Sequence, residues 1–422
     1  MLLSYLLEHN RYLNIVGIIF ILAVAIACSK NRKAIDFKLI LHALGLQFLI
    51  ALAVLKTSLG QSLLAAISSG IARIYQFADQ GSSFVFGQLV DADGPWKFIF
   101  AIKVLPVIIF FGALMALLFY WGIVQKLVLA VNWLVQPLLG TTGAETLCAI
   151  ANSFLGQTEA PLLVRDYLRV MSKSELFVVM VSGMGTISGA ILVVFAAMGV
   201  PAPHLLTASV MAIPATIMIA KILLPEEKKD TTAEPITVVM KSSAGNMFDA
   251  IAAGTLDGLS LALNVGAMLI AFIALIGLFN AVLHYGSDMV NALLETLQIA
   301  WRMPNLDLQL ILSYLFAPFA LLLGFTGQMA LDVGGLLGTK VAINELIAYE
   351  RMVAMHLPER VVDIVTYALC GFSNFSCIGI QIGGIGALIP ERRGWLTELG
   401  VYAVFAGSLS NLLSAMIASL LL

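Results

Sequence analysis

Charged residues are scarce in this chain. Only 11% of its 422 positions are Asp, Glu, Lys or Arg, against roughly 25% in a soluble domain. That deficit accompanies 60% hydrophobic residues and a mean hydropathy of +0.98. Together they exclude a soluble globular protein and mark an integral membrane protein, which its long apolar runs make all-α. Histidine is sparse and unclustered, and Cys28, Cys148, Cys370 and Cys377 show neither metal-ligand nor disulfide-framework spacing. With no basic tract there is no case for nucleic acid. With no nucleophile–base pair, metal cluster or cofactor motif there is little case for a membrane enzyme. The N-terminus lacks the basic region and small-residue cleavage site of a secretory signal.

What the chain does have is long apolar runs. A bilayer-crossing helix needs about 20 such residues. Eight spans are predicted, over about 12–28, 38–56, 97–121, 176–198, 204–224, 261–283, 361–388 and 398–421. Residues 60–80 mix Arg73, Asp79 and Gln80 with small apolar residues and suit a helix lying at the interface. The cluster Ser29-Lys30-Asn31-Arg32-Lys33 should be cytoplasmic by the positive-inside rule, which puts both termini outside. Polar connections are expected at Asp91-Ala92-Asp93-Gly94-Pro95 and Glu226-Glu227-Lys228-Lys229-Asp230.

Two regions break the pattern. Residues 137–170 are interrupted by Gly140, Gly143, Gly156 and Pro161 and contain Glu145 and Glu159. Arg165, Arg169 and Lys173 follow, so both ends face the cytoplasm, as in a re-entrant hairpin. Non-helical backbone at that depth is tolerated only beside protein or a water-filled cavity. Residues 308–348 repeat the pattern, with Pro318, Gly324, Gly327, Gly334, Gly335 and Gly338 among Gln328, Asp332, Lys340, Asn344 and Glu345. This second hairpin should open outward. Each is followed by a span with a broken centre. One break lies at Gly183–Gly189, around Thr186 and Ser188, and the other at Gly371–Cys377. Glu159 precedes Thr186 by 27 residues and Glu345 precedes Asn374 by 29. Two such units in opposite orientation make an inverted repeat, whose discontinuous elements meet at a midplane site in secondary transporters. The chain divides accordingly: 1–96, N-terminal spans and interfacial helix; 97–136, third span; 137–230, first hairpin with spans four and five; 231–307, linker and sixth span; 308–422, second hairpin with spans seven and eight.

The stretch from Asn152 to Pro161 holds two amides, two hydroxyls and a carboxylate. A carboxylate at membrane depth costs at least about 2.5–3.5 kcal/mol, which a polar solute and a cation would offset. A phosphate or dicarboxylate would call for basic residues at depth, and Lys340 alone is thin support. Carboxylates only accept hydrogen bonds, so carboxylates with amides suit a neutral solute rich in O–H and N–H donors, such as a nucleoside or a sugar. The same residues also admit structural readings. Glu159 and Glu345 could cap hairpin helices, Gln157 and Thr158 could satisfy hairpin backbone, and Asn152 could be a cap. Asp332 and Lys340 read as a pair lining the hairpin or exposed at its rim. Asp257 and Asn264 read as packing or interfacial groups, and His204 as a solvated loop histidine. A passive pore is a further class, which two closing hairpins argue against.

Four ordered motifs resemble the concentrative nucleoside transporter family, in its bacterial form. They are Gly156-Gln157-Thr158-Glu159-Ala160-Pro161, Leu261 to Leu269, Ala342-Ile343-Asn344-Glu345-Leu346 and Cys370-Gly371-Phe372-Ser373-Asn374-Phe375-Ser376. Gly81 to Gly87 fits as well, so the resemblance runs over nearly the whole chain. It implies a homotrimer in the inner membrane, in contact with lipid, with spans three and six as scaffold and the hairpins moving as an elevator. It implies nucleobase contacts at Gln157, Thr158 and Glu159, ribose contacts at Glu345 and Asn374, and apolar or aromatic contacts at Ile191, Leu261 and Phe372. It implies a sodium ion held by Asn152, Leu155, Thr186 and Ile187. Cys377 stands where serine often binds ribose, and thiol is the weaker donor; Thr186 replaces a serine and keeps its hydroxyl. The expected activity is sodium-coupled nucleoside symport, with proton coupling as the alternative.

Overall fold

The computed structural model describes residues 2–91, 99–226 and 244–422. The expected polar turn after Asp91 and the linker after Glu226 lie outside the described residues. All regular structure among the described residues is helical. In chain order the main helices are α1 (Arg11–Ala27), α2 (Phe37–Lys56), α3 (Ser58–Phe86), α4 (Leu105–Tyr120), α5 (Ile123–Leu139), α6 (Gly143–Asn152), α7 (Lys173–Gly185) and α8 (Gly189–Ala197). They continue with α9 (Ala202–Leu223), α10 (Met247–Thr296), α11 (Leu308–Leu322), α12 (Gln328–Ala342), α13 (Glu345–Ala354), α14 (Glu359–Leu369), α15 (Phe375–Leu388) and α16 (Arg393–Leu421).

Seven helices among the described residues are long and apolar enough to cross a membrane: Ser4–Ala27, Phe37–Lys56, Phe100–Tyr120, Lys173–Ala197, Ala202–Leu223, Met247–Thr296 and Pro390–Leu421. They coincide with seven of the eight expected spans. The eighth, 361–388, is divided at Cys370–Asn374 into α14 and α15, and neither half is long enough alone. Residues 60–80 fall inside the single helix α3, which Thr57 caps by accepting from Gly60 N at 3.0 Å.

Burial sorts these helices. The most apolar stretches of Lys173–Ala197, Ala202–Leu223 and Pro390–Leu421 are 83%, 83% and 78% buried, but that of Met247–Thr296 only 11%. The first three form an inner body, and α10 lies against its edge. At 50 residues, α10 is about 75 Å long and unites the expected amphipathic stretch with the expected span 261–283. Its buried residues Ala250, Gly254, Gly258 and Ala262 recur every fourth position, which makes one stripe. The stripe packs on α4, where Gly254 faces Gly112 and Ala116. Small residues let two backbones approach closely in an apolar setting.

The two halves of the inner body follow the same order: a helix, a reversal, a short helix, a broken helix and a long helix. In the first, α6 is followed by the non-helical turn 153–159, single turns at Ala160–Leu163 and Arg165–Leu168, the broken pair α7–α8, then α9. In the second, α12 reverses into α13, followed by α14–α15 and α16. The expected hairpin over 308–348 therefore contains two reversals. The first, at 323–327, uses Gly324 and Gly327 in left-handed backbone and lays α11 beside α12. The second, at Ile343–Asn344, carries the polar residues. Asn344 caps α13 by accepting from Ile347 N at 2.9 Å.

Candidate functional site

The two helix breaks meet. Thr186 and Ile187 separate α7 from α8, and Ser188 caps α8 by accepting from Ile191 N at 3.4 Å. Asn374 likewise caps α15, accepting from Cys377 N at 3.0 Å. Phe372 N donates to Thr186 O at 3.3 Å. Asn411, from the middle of α16, fastens both breaks, its Nδ2 donating to Gly185 O at 2.7 Å and Cys370 O at 2.8 Å. These carbonyls belong to helix C-termini, where backbone acceptors lack intrahelical partners and the dipole is negative. Sequence reasoning missed Asn411, a single amide in an apolar run whose partners are remote in sequence.

A hydrogen-bonded chain runs from one half to the other. Glu345, 7% exposed, accepts at Oε2 from Asn374 Nδ2 at 2.8 Å. Asn374 Oδ1 also accepts from Ser376 Oγ at 2.6 Å. One helical turn further, Cys377 Sγ accepts from Gln157 Nε2 at 3.3 Å. Gln157 Oε1 in turn accepts from Gln381 Nε2 at 3.2 Å, which also donates to Met180 O. Four expected site residues, Gln157, Glu345, Asn374 and Cys377, are thus brought together. Gln381 was missed, although its place four residues after Cys377 puts both on one face of α15.

A cavity of about 670 Å³ is lined by Thr158, Glu159, Leu261, Asp257, Asn264 and Phe154 among others, but not by Gln157, Glu345, Asn374 or Cys377. Cavities of about 300–1,000 Å³ suit small molecules. Thr158, Glu159 and Leu261 therefore share one space. Asp257 and Asn264, expected as packing groups, line it from α10. Ile191 and Phe372 are not among its lining residues. Ile191 is buried in the first turn of α8, and Phe372 is half-buried at the second break.

The expected ion ligands cluster at the first break. Asn152 is fully buried, and its Nδ2 donates to Ser182 Oγ at 2.8 Å. Its Oδ1 has no hydrogen-bond partner. Thr186 Oγ1 donates to Ser182 O at 2.7 Å, so Ser182 joins the two. Leu155 and Ile187 lie in the adjoining non-helical segments. A buried amide oxygen without a partner carries an uncompensated desolvation cost, and a hard cation, which prefers oxygen ligands, would remove it. The donors gathered here are neutral amide, hydroxyl and backbone oxygens, a set that suits a small cation.

Two expectations change. Lys340 is not at a rim. It is 2% exposed and donates from Nζ to Ala368 O at 2.9 Å and Asn411 Oδ1 at 2.6 Å, while Asp332 accepts from Gln328 Nε2. His204 is not solvated either. Its Nε2 lies 3.3 Å from Asp363 Oδ1 and its Nδ1 3.2 Å from the Tyr367 hydroxyl.

Discontinuous helices whose breaks meet, beside a largely apolar cavity that carries Thr158, Glu159, Asp257 and Asn264, within a multi-span apolar chain, define a secondary membrane transporter. Three family models match the chain in succession: "Na+ dependent nucleoside transporter N-terminus" over residues 16–89, "Nucleoside recognition" over 101–202 and "Na+ dependent nucleoside transporter C-terminus" over 204–419. The chain is 36% identical to the nucleoside permease NupC of Helicobacter pylori, over 96% of this chain and 97% of that one. It is 35% identical to sodium/nucleoside cotransporter 1 of Rattus norvegicus, over 98% of this chain and 64% of that one. The solved structure of CNTnw in an inward-facing substrate-bound state superposes with a TM-score of 0.90 at 37% identity, covering 97% of both chains. The chain belongs to the Na+-dependent, or concentrative, nucleoside transporter family, whose members are transporters and not enzymes.

Proposed function

We propose that this chain is a sodium-coupled nucleoside symporter, a homotrimer of the inner membrane with both termini outside. It takes up uridine-like nucleosides by an elevator-type movement of the two hairpin units against α4 and α10. The hydrogen-bonded chain Glu345–Asn374–Cys377–Gln157 carries this reading. In it Glu345 and Asn374 take the ribose hydroxyls, with Cys377 beside them. Each hydrogen bond to the carboxylate contributes about 1.5–3 kcal/mol. Gln157, Thr158 and Glu159 take the nucleobase, with Ile191, Leu261 and Phe372 as apolar neighbours. Asn152, Leu155, Thr186 and Ile187 hold the sodium ion that is carried along. Binding at that place orders the turn 153–159 on which the base-binding groups sit. Two ligands that favour one ordered state bind cooperatively without touching. The continuous stripe of small residues between α4 and α10 supports a scaffold role for that pair. The exposed Leu263, Ile270, Ile273 and Leu278 support lipid or a neighbouring subunit on its other side.

The test is uptake of labelled uridine into proteoliposomes under an inward sodium gradient, an inward proton gradient or none. Accumulation driven by sodium is expected. Accumulation driven by protons alone would overturn the ion. No uptake of uridine, adenosine or guanosine under any gradient would overturn the solute.

A further inference from the structure

We propose that Lys340 is a cation built into the second half of the molecule. At the Cys370–Asn374 break its ammonium takes the part that the carried ion takes at the Thr186–Ser188 break, which makes it a positioning residue for the Glu345–Asn374 pair. The comparison between halves rests on the sodium reading given above.

The observations are geometric. Lys340 sits in the last turn of α12 and is almost completely buried. It donates to Ala368 O, a carbonyl in the last turn of α14, where acceptors are unpaired and the dipole is negative. It also donates to Asn411 Oδ1. Asn411 is thereby saturated, because it accepts from Ser373 Oγ at 3.2 Å as well and donates to Gly185 O and Cys370 O. A buried polar network of this kind is stabilising only when every member is satisfied. The equivalent helix of the first half, α6, ends instead in neutral Asn152, whose Oδ1 is left unpaired. One half presents an open oxygen at its break, and the other closes its break with a nitrogen. Glu345 lies five residues after Lys340 in sequence, and Asp332 on the same helix is occupied by Gln328.

The consequence is an asymmetry in what depends on the ion. A carried ion orders the first break only while bound. A tethered nitrogen stays at the second break whether or not the ion is bound, so Glu345 and Asn374 stay set for the ribose while the base-binding turn waits for sodium.

The experiment measures sodium-induced thermal shifts and uridine binding on purified wild-type protein and Lys340→Met. The variant should stay folded, keep the sodium shift and bind uridine at least about tenfold more weakly, as expected when one member of a buried hydrogen-bonded charge network is removed. A general structural support would lose both responses together. Wild-type uridine binding in the variant, or joint loss of the sodium shift and uridine binding, overturns the proposal. Should Lys340→Met fail to fold, Lys340→Gln keeps an N–H donor without the charge and is read in the same way. A wild-type protein with no sodium shift would overturn the sodium reading itself, a result visible without any variant.

Discussion

Glu345 and Asn374 meet at 2.8 Å although one opens α13 and the other caps α15. The amide holds the carboxylate beside the N-terminus of α15, where backbone N–H groups are unpaired. Glu345→Gln keeps the shape but removes the charge and turns one acceptor into a donor. Uridine binding should weaken by at least about tenfold, since a hydrogen bond to a charged group is worth about 1.5–3 kcal/mol. Size-exclusion behaviour and thermal melting should be unchanged. Titration of uridine into the purified variant checks this, and wild-type affinity would remove Glu345 from the site.

Asn152 offers a fully buried amide oxygen without a partner at the first break. Asn152→Ala deletes that oxygen together with the donor to Ser182. The sodium concentration for half-maximal uridine uptake should rise by about tenfold or more, by the same scale for a lost contact to a charged partner. Uridine affinity at saturating sodium should change much less. Weakened uridine affinity at saturating sodium, with the half-maximal sodium concentration unchanged, would make Asn152 structural.

Much of this site is legible in sequence because a carboxylate or amide in an apolar run is costly and therefore conspicuous. Gln157, Glu159, Glu345 and Asn374 stand out on that ground, and the glycines around Thr186 and Asn374 mark the breaks. What escapes is whatever depends on distant partners. Lys340 reads as half of a pair with Asp332, lining the hairpin or exposed at its rim, since lysine usually extends its head toward water. Its partners Ala368 and Asn411 lie 28 and 71 residues away. Asn411 has no local signal in α16. The two reversals between 308 and 348 merge in the sequence because glycines both precede α12 and run through it, and only packing shows that α11 lies beside α12.

Lys221 and Glu145 form a second, purely structural relationship. Their charged groups lie 2.7 Å apart, with side chains 11% and 1% exposed. Lys221 ties α9 to the base of α6, where Thr142 N also donates to Glu145 Oε1 at 3.0 Å. Lys221→Met leaves Glu145 buried without its cation. Breaking such a pair from one side costs about 3–5 kcal/mol. A pronounced fall in melting temperature is expected, with sodium dependence of the residual uptake unchanged. An unaffected melting temperature would show that the pair contributes nothing net.

Cys377 receives Gln157 Nε2 at its sulfur and lies next to Asn374 on the cap of α15. Cys377→Ser replaces a weak donor and acceptor with a strong one of similar shape. Uridine should bind at least as tightly as to the wild type. Cys377→Ala should bind it more weakly and leave Gln157 without this partner. Affinities of the three proteins, measured at one sodium concentration, decide the point. Equal affinities throughout would place the thiol outside the ribose contact.

Gly371 tests whether the two breaks act as one unit. A Cβ there would lie 2.4 Å from Asn411 Oδ1, 2.9 Å from Asn411 Nδ2 and 2.9 Å from Gly185 O. None of these can yield cheaply, because Asn411 is bonded on every side and Gly185 O is backbone. Gly371→Ala must therefore displace the amide that joins both breaks and holds Lys340. Each buried polar group left unsatisfied costs about 1–3 kcal/mol, and several are exposed to that loss together. Lower thermal stability is expected, with weakened uridine binding and a diminished sodium shift, because the same amide serves both halves. Gly379→Ala is the control: it lies on α15, and a Cβ there meets nothing within 4 Å. A Gly371→Ala protein as stable and as active as Gly379→Ala would mean that the breaks adjust independently.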